Sequence, residues 1–167
     1  MNLEALNRLS EEAFIKEFGE IFEHSPWVAK KAYEHSPFSS LEALHNRMVE
    51  IVSNAPREEK LELIRSHPNL GDNIEMSVES VREQQGAGLK NLTEAEYTSF
   101  QKLNGTYITK FGFPFVFAVK GKNKNDIYQA MKERVNHTVV DEFSTALAEI
   151  YKIALLRLQD KFKQEKV

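Results

Sequence analysis

The chain has 167 residues, 41% of them apolar, which is enough for one self-sufficient core and makes a single domain the expectation. Seven glycines and five prolines are too few turn formers for a many-stranded β-sandwich or barrel, and the absence of cysteine excludes disulfides, thiolate metal sites and thiol nucleophiles. A net charge of −3 with both signs spread along the chain gives no reason to expect nucleic acid or an anionic membrane as partner.

The first residues, MNLEALNRLSEEAF, lack the basic start and apolar run of a secretory signal. Behind Ser10, a candidate N-cap, Phe14, Phe18, Ile21 and Phe22 recur with helical spacing. Pro26 opens a short helix through Tyr33. Ser40 caps another, with Leu41, Leu44, Met48, Ile51 and Val52 facing inward. Pro56 suits the first turn of a helix that carries Leu61 and Ile64 and must stop before Pro68. Thr93 and Glu96 form a capping-box pattern that opens a helix towards Lys110. Asn125 or Asp126 is expected to cap the next, which carries Ile127, Met131 and Val135. A long last helix is expected from about Val139 to Lys163. No run approaches the roughly 18 apolar residues of a membrane span, and the last three residues, Glu165-Lys166-Val167, form no peroxisomal address. The cytoplasm is the default expectation, and an all-α fold is the simplest reading.

Two features depart from this helical pattern. Six of the seven glycines (Gly71, Gly86, Gly88, Gly105, Gly112 and Gly121) fall between Pro68 and Lys122, so unusual backbone or close ligand approach is expected there. Within that window, Phe111-Gly-Phe-Pro-Phe-Val-Phe-Ala-Val119 is an apolar run broken by Gly112 and Pro114. Buried among helices, it has no neighbouring strand, so its backbone groups must find side chains, water or a ligand. It is either a binding surface or core filler.

Three places could carry chemistry. His67 follows a helix and precedes Pro68. The helix end favours an imidazolium and the proline restricts the backbone before it. That suits a general acid or base, and it also suits a capping or surface histidine; His24, His35, His45 and His137 compete. Ser80, Glu83 and Gln84 share one face of a helix and could hold a polar small molecule, yet Ser80-x-x-Glu83 is equally a capping box. Arg157 lies beside the apolar stripe Phe143, Leu147, Ile150, Ala154 and Leu158. A core-facing guanidinium must be paired, and its planar fork suits a carboxylate of the chain or of a ligand; at the rim of the stripe it would instead snorkel to solvent. The spacings of common nucleotide, metalloprotease and hydrolase motifs are absent, and the histidines are too scattered for a metal site.

Taken in order, His67-Pro68-x-Leu70, Ser80-x-x-Glu83-Gln84-x-x-Ala87-Gly88-Leu89, Phe111-Gly-Phe-Pro-Phe115 and Leu156-Arg157-Leu158 resemble the 2-oxo-4-hydroxy-4-carboxy-5-ureidoimidazoline (OHCU) decarboxylase family. Phe22-Glu23-x-Ser25-Pro26-Trp27, and Arg134 with Asn136, add to the likeness. The resemblance spans almost the whole chain. It implies a single-domain bundle of about eight helices with a buried extended Phe-Gly-Phe-Pro segment. It also implies cofactor-free decarboxylation of OHCU to (S)-allantoin, the last step of urate degradation to allantoin. By the same resemblance the catalytic residues are His67, Glu83 and Arg157. Pro68, Ser80, Val81, Arg82 and Gln84 bind substrate, as does the segment Phe115, Val116, Phe117, Ala118 and Val119. No metal is implied. The stretch from Leu70 to Ser80 is shorter than in many members, with Gly71-Asp72 for a more usual Ala-Gly, so contacts from Asn69 to Met76 do not carry over. The chain is also similar to the form fused to urate oxidase in some bacteria, and the resemblance leaves open a homodimer. The reading from another class is a helical binding module that recognises a ureide or a protein partner.

Overall fold

The computed structural model describes residues 1–68 and 93–163. Among the described residues there are eight helices and no strand. They are α1 (Leu3–Asn7), α2 (Glu11–Phe18), α3 (Trp27–Tyr33), α4 (Leu41–Ser53), α5 (Arg57–Arg65), α6 (Glu94–Phe111), α7 (Lys124–Arg134) and α8 (Val139–Lys163). The chain divides into two compact units, Met1–Ser66 with Tyr151–Val167, and His67–Ile150. Helix α8 contributes its first half to the second unit and its last half to the first.

In the first unit the caps act where side chains of the right type precede apolar periodicity. Ser10 accepts from Ala13 N–H and Ser40 from Ala43 N–H, satisfying amides that a helix start leaves without a partner. Helix α2 stops at Phe18, earlier than the spacing of Ile21 and Phe22 suggests; both are nonetheless buried, in the turns that follow. Of the residues expected to face inward from α4, Leu44, Met48 and Val52 are buried and Leu41 and Ile51 are half-buried. The core centres on Phe14, whose ring lies 4.9 Å from Phe18, 5.5 Å from Tyr33 and 6.2 Å from Phe38. Burying one such ring is worth about 1.5–3 kcal/mol. The Asn7 side chain both donates to Phe38 O and accepts from Phe38 N–H, each at 2.8 Å, fixing the loop that carries Phe38.

In the second unit α6 opens with the expected capping box: Thr93 Oγ1 accepts from Glu96 N–H at 3.1 Å and Glu96 Oε1 from Thr93 N–H at 3.0 Å. It closes at Gly112, whose φ of 74° is left-handed and therefore suits glycine. The cap of α7 is Asn123, not Asn125 or Asp126. Asp126 sits three residues on and returns the bond, accepting from Asn123 N–H at 3.0 Å, so the box is Asn123-x-x-Asp126 and the helix begins earlier than the apolar positions alone indicate. Along α6, Phe100, Asn104, Tyr107 and Phe111 form the buried face. Tyr107 packs edge-on against Phe115 at 5.3 Å and against Phe113 at 6.1 Å, so the Phe-Gly-Phe-Pro run belongs to the aromatic core of this unit.

Candidate active site

His67 lies just past α5, in the second unit, and is 7% exposed. The helix before it is closed by Ser66, whose N–H reaches Glu62 O at 2.9 Å and whose Oγ donates to the same carbonyl at 2.8 Å. The histidine therefore starts a new backbone direction that Pro68, half-buried behind it, restricts to extended geometry.

The segment Phe115–Val119 is also in the second unit. Its Phe115, Val116 and Val119 are buried and its Phe117 and Ala118 half-buried. No strand pairs with it among the described residues, and two of its backbone groups are met by side chains, as the physics of a buried irregular segment demands. Arg134 NH1 donates to Val116 O at 2.6 Å, and Ala118 N–H donates to Glu149 Oε1 at 3.2 Å. Arg134 also lies over the Phe115 ring, 4.4 Å from its centroid, a cation–π contact worth up to about 2 kcal/mol when desolvated. Both Arg134 and Glu149 are buried.

Arg134 is itself held by Glu142, which is fully buried. Glu142 Oε1 accepts from Arg134 Nε at 2.6 Å and from the Tyr107 hydroxyl at 2.6 Å, and it pairs with Arg134 NH2. Its Oε2 lies 3.0 Å from His137 Nδ1. Burial, followed by the hydrogen bond to Glu142, pushes the Tyr107 hydroxyl well above the ordinary phenol range, so Tyr107 stays a neutral donor to this carboxylate. The network ties α6, α7 and α8 to the Val116 carbonyl.

Arg157 is in the first unit, on α8, and is 4% exposed. It is core-facing and paired within the chain: NH2 donates to Glu23 Oε2 at 2.9 Å, and NH1 to the carbonyls of Glu20 and Ile21 at 3.2 Å each. Glu23 is fully buried. The snorkelling alternative is thereby excluded. Ser80, Val81, Arg82, Glu83 and Gln84 lie outside the described residues.

Glu142 and Glu149 were not singled out from the sequence as site-building residues. Each immediately precedes a member of the α8 stripe, Phe143 or Ile150, just as Arg157 precedes Leu158. The test that flagged Arg157, a charge beside an apolar helical stripe, applies to both. A cleft of about 240 Å3 between the first turns of α6 and α7, lined by Glu96, Phe100, Lys124 and Tyr128 among others, contains none of the candidate catalytic or substrate-binding residues. Its Glu96 carboxyl is held below the usual range, chiefly by the Lys124 ammonium at 2.9 Å.

Comparison with known proteins places these features in a family. The sequence model of the OHCU decarboxylase family matches residues 7–159. The chain is 47% identical over 165 residues to a 2-oxo-4-hydroxy-4-carboxy-5-ureidoimidazoline decarboxylase of Haloferax volcanii, covering 99% of this chain and 98% of that one. It is 48% identical over 158 residues to the uric acid degradation bifunctional protein PucL of Bacillus subtilis, covering 95% of this chain and 32% of that protein. Among solved structures it is similar to (S)-allantoin synthase, with a TM-score of 0.81 and 31% identity over 96% of this chain and 54% of that one. The fold is also that of an OHCU decarboxylase crystallised in the presence of (S)-allantoin, with a TM-score of 0.73 at 23% identity over 88% of this chain and 98% of that one. With its all-helical fold, its His-Pro pair behind α5 and a match running from residue 7 to residue 159, the chain belongs to the OHCU decarboxylase family.

Proposed function

We propose that residues 1–167 act as one catalytic domain that converts OHCU to (S)-allantoin and CO2, with His67, Glu83 and Arg157 as its catalytic residues. The observation that carries this reading is the end-to-end match to a relative of nearly the same length that bears this activity in its name. The chemistry needs no cofactor. When the C4–CO2 bond breaks, its electron pair forms a C4=C5 double bond and the imine pair moves onto the ring nitrogen, which takes a proton. Loss of the 4-hydroxyl proton and protonation at C5 then give the hydantoin ring of allantoin. His67 exchanges the proton of the 4-hydroxyl, and Glu83 holds the ureido side or assists protonation. Delivery of the C5 proton to one face sets the S configuration. Arg157 grips the substrate carboxylate so that the C–CO2 bond stands perpendicular to the imine plane. Pro68, Ser80, Val81, Arg82, Gln84 and the Phe115–Val119 segment are the further substrate-binding residues of this reading.

The same proposal places the protein in the cytoplasm, alone or as a homodimer, fused to urate oxidase or acting beside it. No described helix is long and apolar enough to cross a membrane. The test generates OHCU in situ from urate and follows allantoin by circular dichroism. Optically active allantoin, formed faster than in the enzyme-free control, supports the reading. Racemic product at the control rate overturns it in favour of a ureide-binding module.

The pairing of Arg157 with Glu23 is also what a purely structural ion pair would show. Arg157→Lys discriminates, because an ammonium is a point charge and loses the planar fork. The expected result is a rise in KM of about tenfold or more with a smaller change in kcat, measured by steady-state kinetics. An unchanged KM assigns Arg157 to the scaffold.

A further inference from the structure

We infer that Glu23 is a positioning residue for the reaction: it fixes the plane of the Arg157 guanidinium and shares its charge, so that the arginine orients the substrate carboxylate without holding it against release as CO2. The inference rests on the proposed contact between Arg157 and substrate.

Both partners are buried, Glu23 at 0% and Arg157 at 4% exposure, so their interaction is not screened as a surface pair is. The guanidinium is anchored at both terminal nitrogens, NH2 by Glu23 Oε2 at 2.9 Å and NH1 by the carbonyls of Glu20 and Ile21. All three acceptors come from one short stretch after α2, and that stretch is shaped for the task. Gly19 ends α2 with its N–H 2.7 Å from Ile15 O, and an added Cβ would meet that carbonyl at 2.5 Å. His24, next to Glu23, has a φ of 49°, a left-handed conformation that is strained for a non-glycine residue and persists only where its surroundings over-determine it. Ser25 Oγ, itself buried, donates to Glu23 O at 3.0 Å and fixes the turn. Besides Arg157, the described titratable groups facing Glu23 include His24, with Nε2 3.7 Å from Glu23 Oε1, and Glu20, whose carboxylate lies with both within 4.8 Å.

The charge of Glu23 bears on the reaction itself. As CO2 departs, negative charge leaves the carboxyl group and moves onto the ring. An arginine with no counter-charge would stabilise the bound carboxylate more than the transition state, which tightens binding and slows the chemical step. Glu23 tempers that preference while keeping the fork in place.

The experiment compares the intact enzyme with Glu23→Gln, which keeps an acceptor for Arg157 and removes the charge. It measures kcat and KM for OHCU and the inhibition constant of (S)-allantoin, which has no carboxylate. The expected result is a kcat lower by about tenfold with a lower KM for OHCU, and an allantoin inhibition constant close to that of the parent. A structural role alone shifts the melting temperature and leaves the ratio of KM to the allantoin constant unchanged, and that outcome overturns the inference. If Glu23→Gln does not fold, Glu23→Asp keeps the charge and withdraws the anchor by one methylene. It is expected to raise KM with kcat nearly retained; a loss of kcat at constant KM overturns the inference. Arg157→Lys separates the two layers: a raised KM there, with Glu23→Gln unchanged in both constants, overturns the role of Glu23 alone, whereas an unchanged KM in Arg157→Lys overturns the arginine contact and this inference with it.

Discussion

His67→Ala is expected to retain the helical fold and to lose roughly 10²–10⁴-fold in kcat, the usual contribution of a positioned general acid or base. The cap of α5 is built from Ser66 and not from the imidazole: Ser66 N–H reaches Glu62 O and Leu63 O, and its Oγ donates to Glu62 O. The far-ultraviolet circular dichroism of the variant should therefore match that of the parent. The proton exchanged with the 4-hydroxyl has to leave as the C4–C5 double bond gives way to the carbonyl, and a methyl side chain cannot accept it. His67→Gln sharpens the test, since glutamine preserves hydrogen bonding at a similar size and cannot cycle a proton. Both variants should fall together in kcat. The stereochemical outcome is a second readout: with enzymatic turnover slowed, uncatalysed decarboxylation takes a larger share and the optical purity of the allantoin drops. A near-normal kcat in either variant removes His67 from the proton-transfer role and leaves Glu83 as the remaining candidate.

The parts of the fold governed by local chemistry could be read directly from the sequence. Ser10, Ser40 and Thr93 cap the helices expected of them, because an N-cap needs only a short polar side chain at one position. Among the described residues the misplaced cap is that of α7, where Asn123, Asn125 and Asp126 all qualify by type; the reciprocal bond between Asn123 and Asp126 decides. Ile21 and Phe22 kept helical spacing beyond the end of their helix, since burial of an apolar side chain does not require helical backbone. Arg157 was legible as an anomaly, but its partner was not. Glu23 lies 134 residues away, in the Phe22-Glu23-x-Ser25-Pro26-Trp27 run that carries part of the likeness, but nothing local tells which cation its carboxylate meets. The anchoring of the Val116 carbonyl and the Ala118 amide was foreseen only as a requirement that something meet them. Which side chains do so is a matter of tertiary packing, in which Arg134 and Glu149 come from different helices.

Those tertiary contacts make Glu142 the position whose loss should cost the fold most. Glu142→Ala leaves the Arg134 guanidinium, 7% exposed, without its carboxylate, and strips the Tyr107 hydroxyl of its acceptor. Breaking one side of a buried ion pair typically costs about 3–5 kcal/mol, and at this chain length that corresponds to roughly 6–20 °C in melting temperature. The effect should not stop at stability. Arg134 holds Val116 O and covers the Phe115 ring, so an arginine drawn elsewhere in search of a counter-charge frees the segment proposed to bind the substrate ring, and KM should rise at temperatures where the variant is still folded. A triple variant separates the two consequences. Glu142→Leu, Arg134→Met and Tyr107→Phe together replace the network with apolar groups of similar volume, a change that is often neutral or stabilising for buried ion pairs. Its melting temperature should recover towards that of the parent. Its KM should remain high, because no donor is left for the Val116 carbonyl and that backbone group must find water or turn away. Thermal melts and steady-state kinetics on the two variants test both halves. Recovery of KM along with stability would show that the network serves packing alone and that the segment holds its geometry without Arg134.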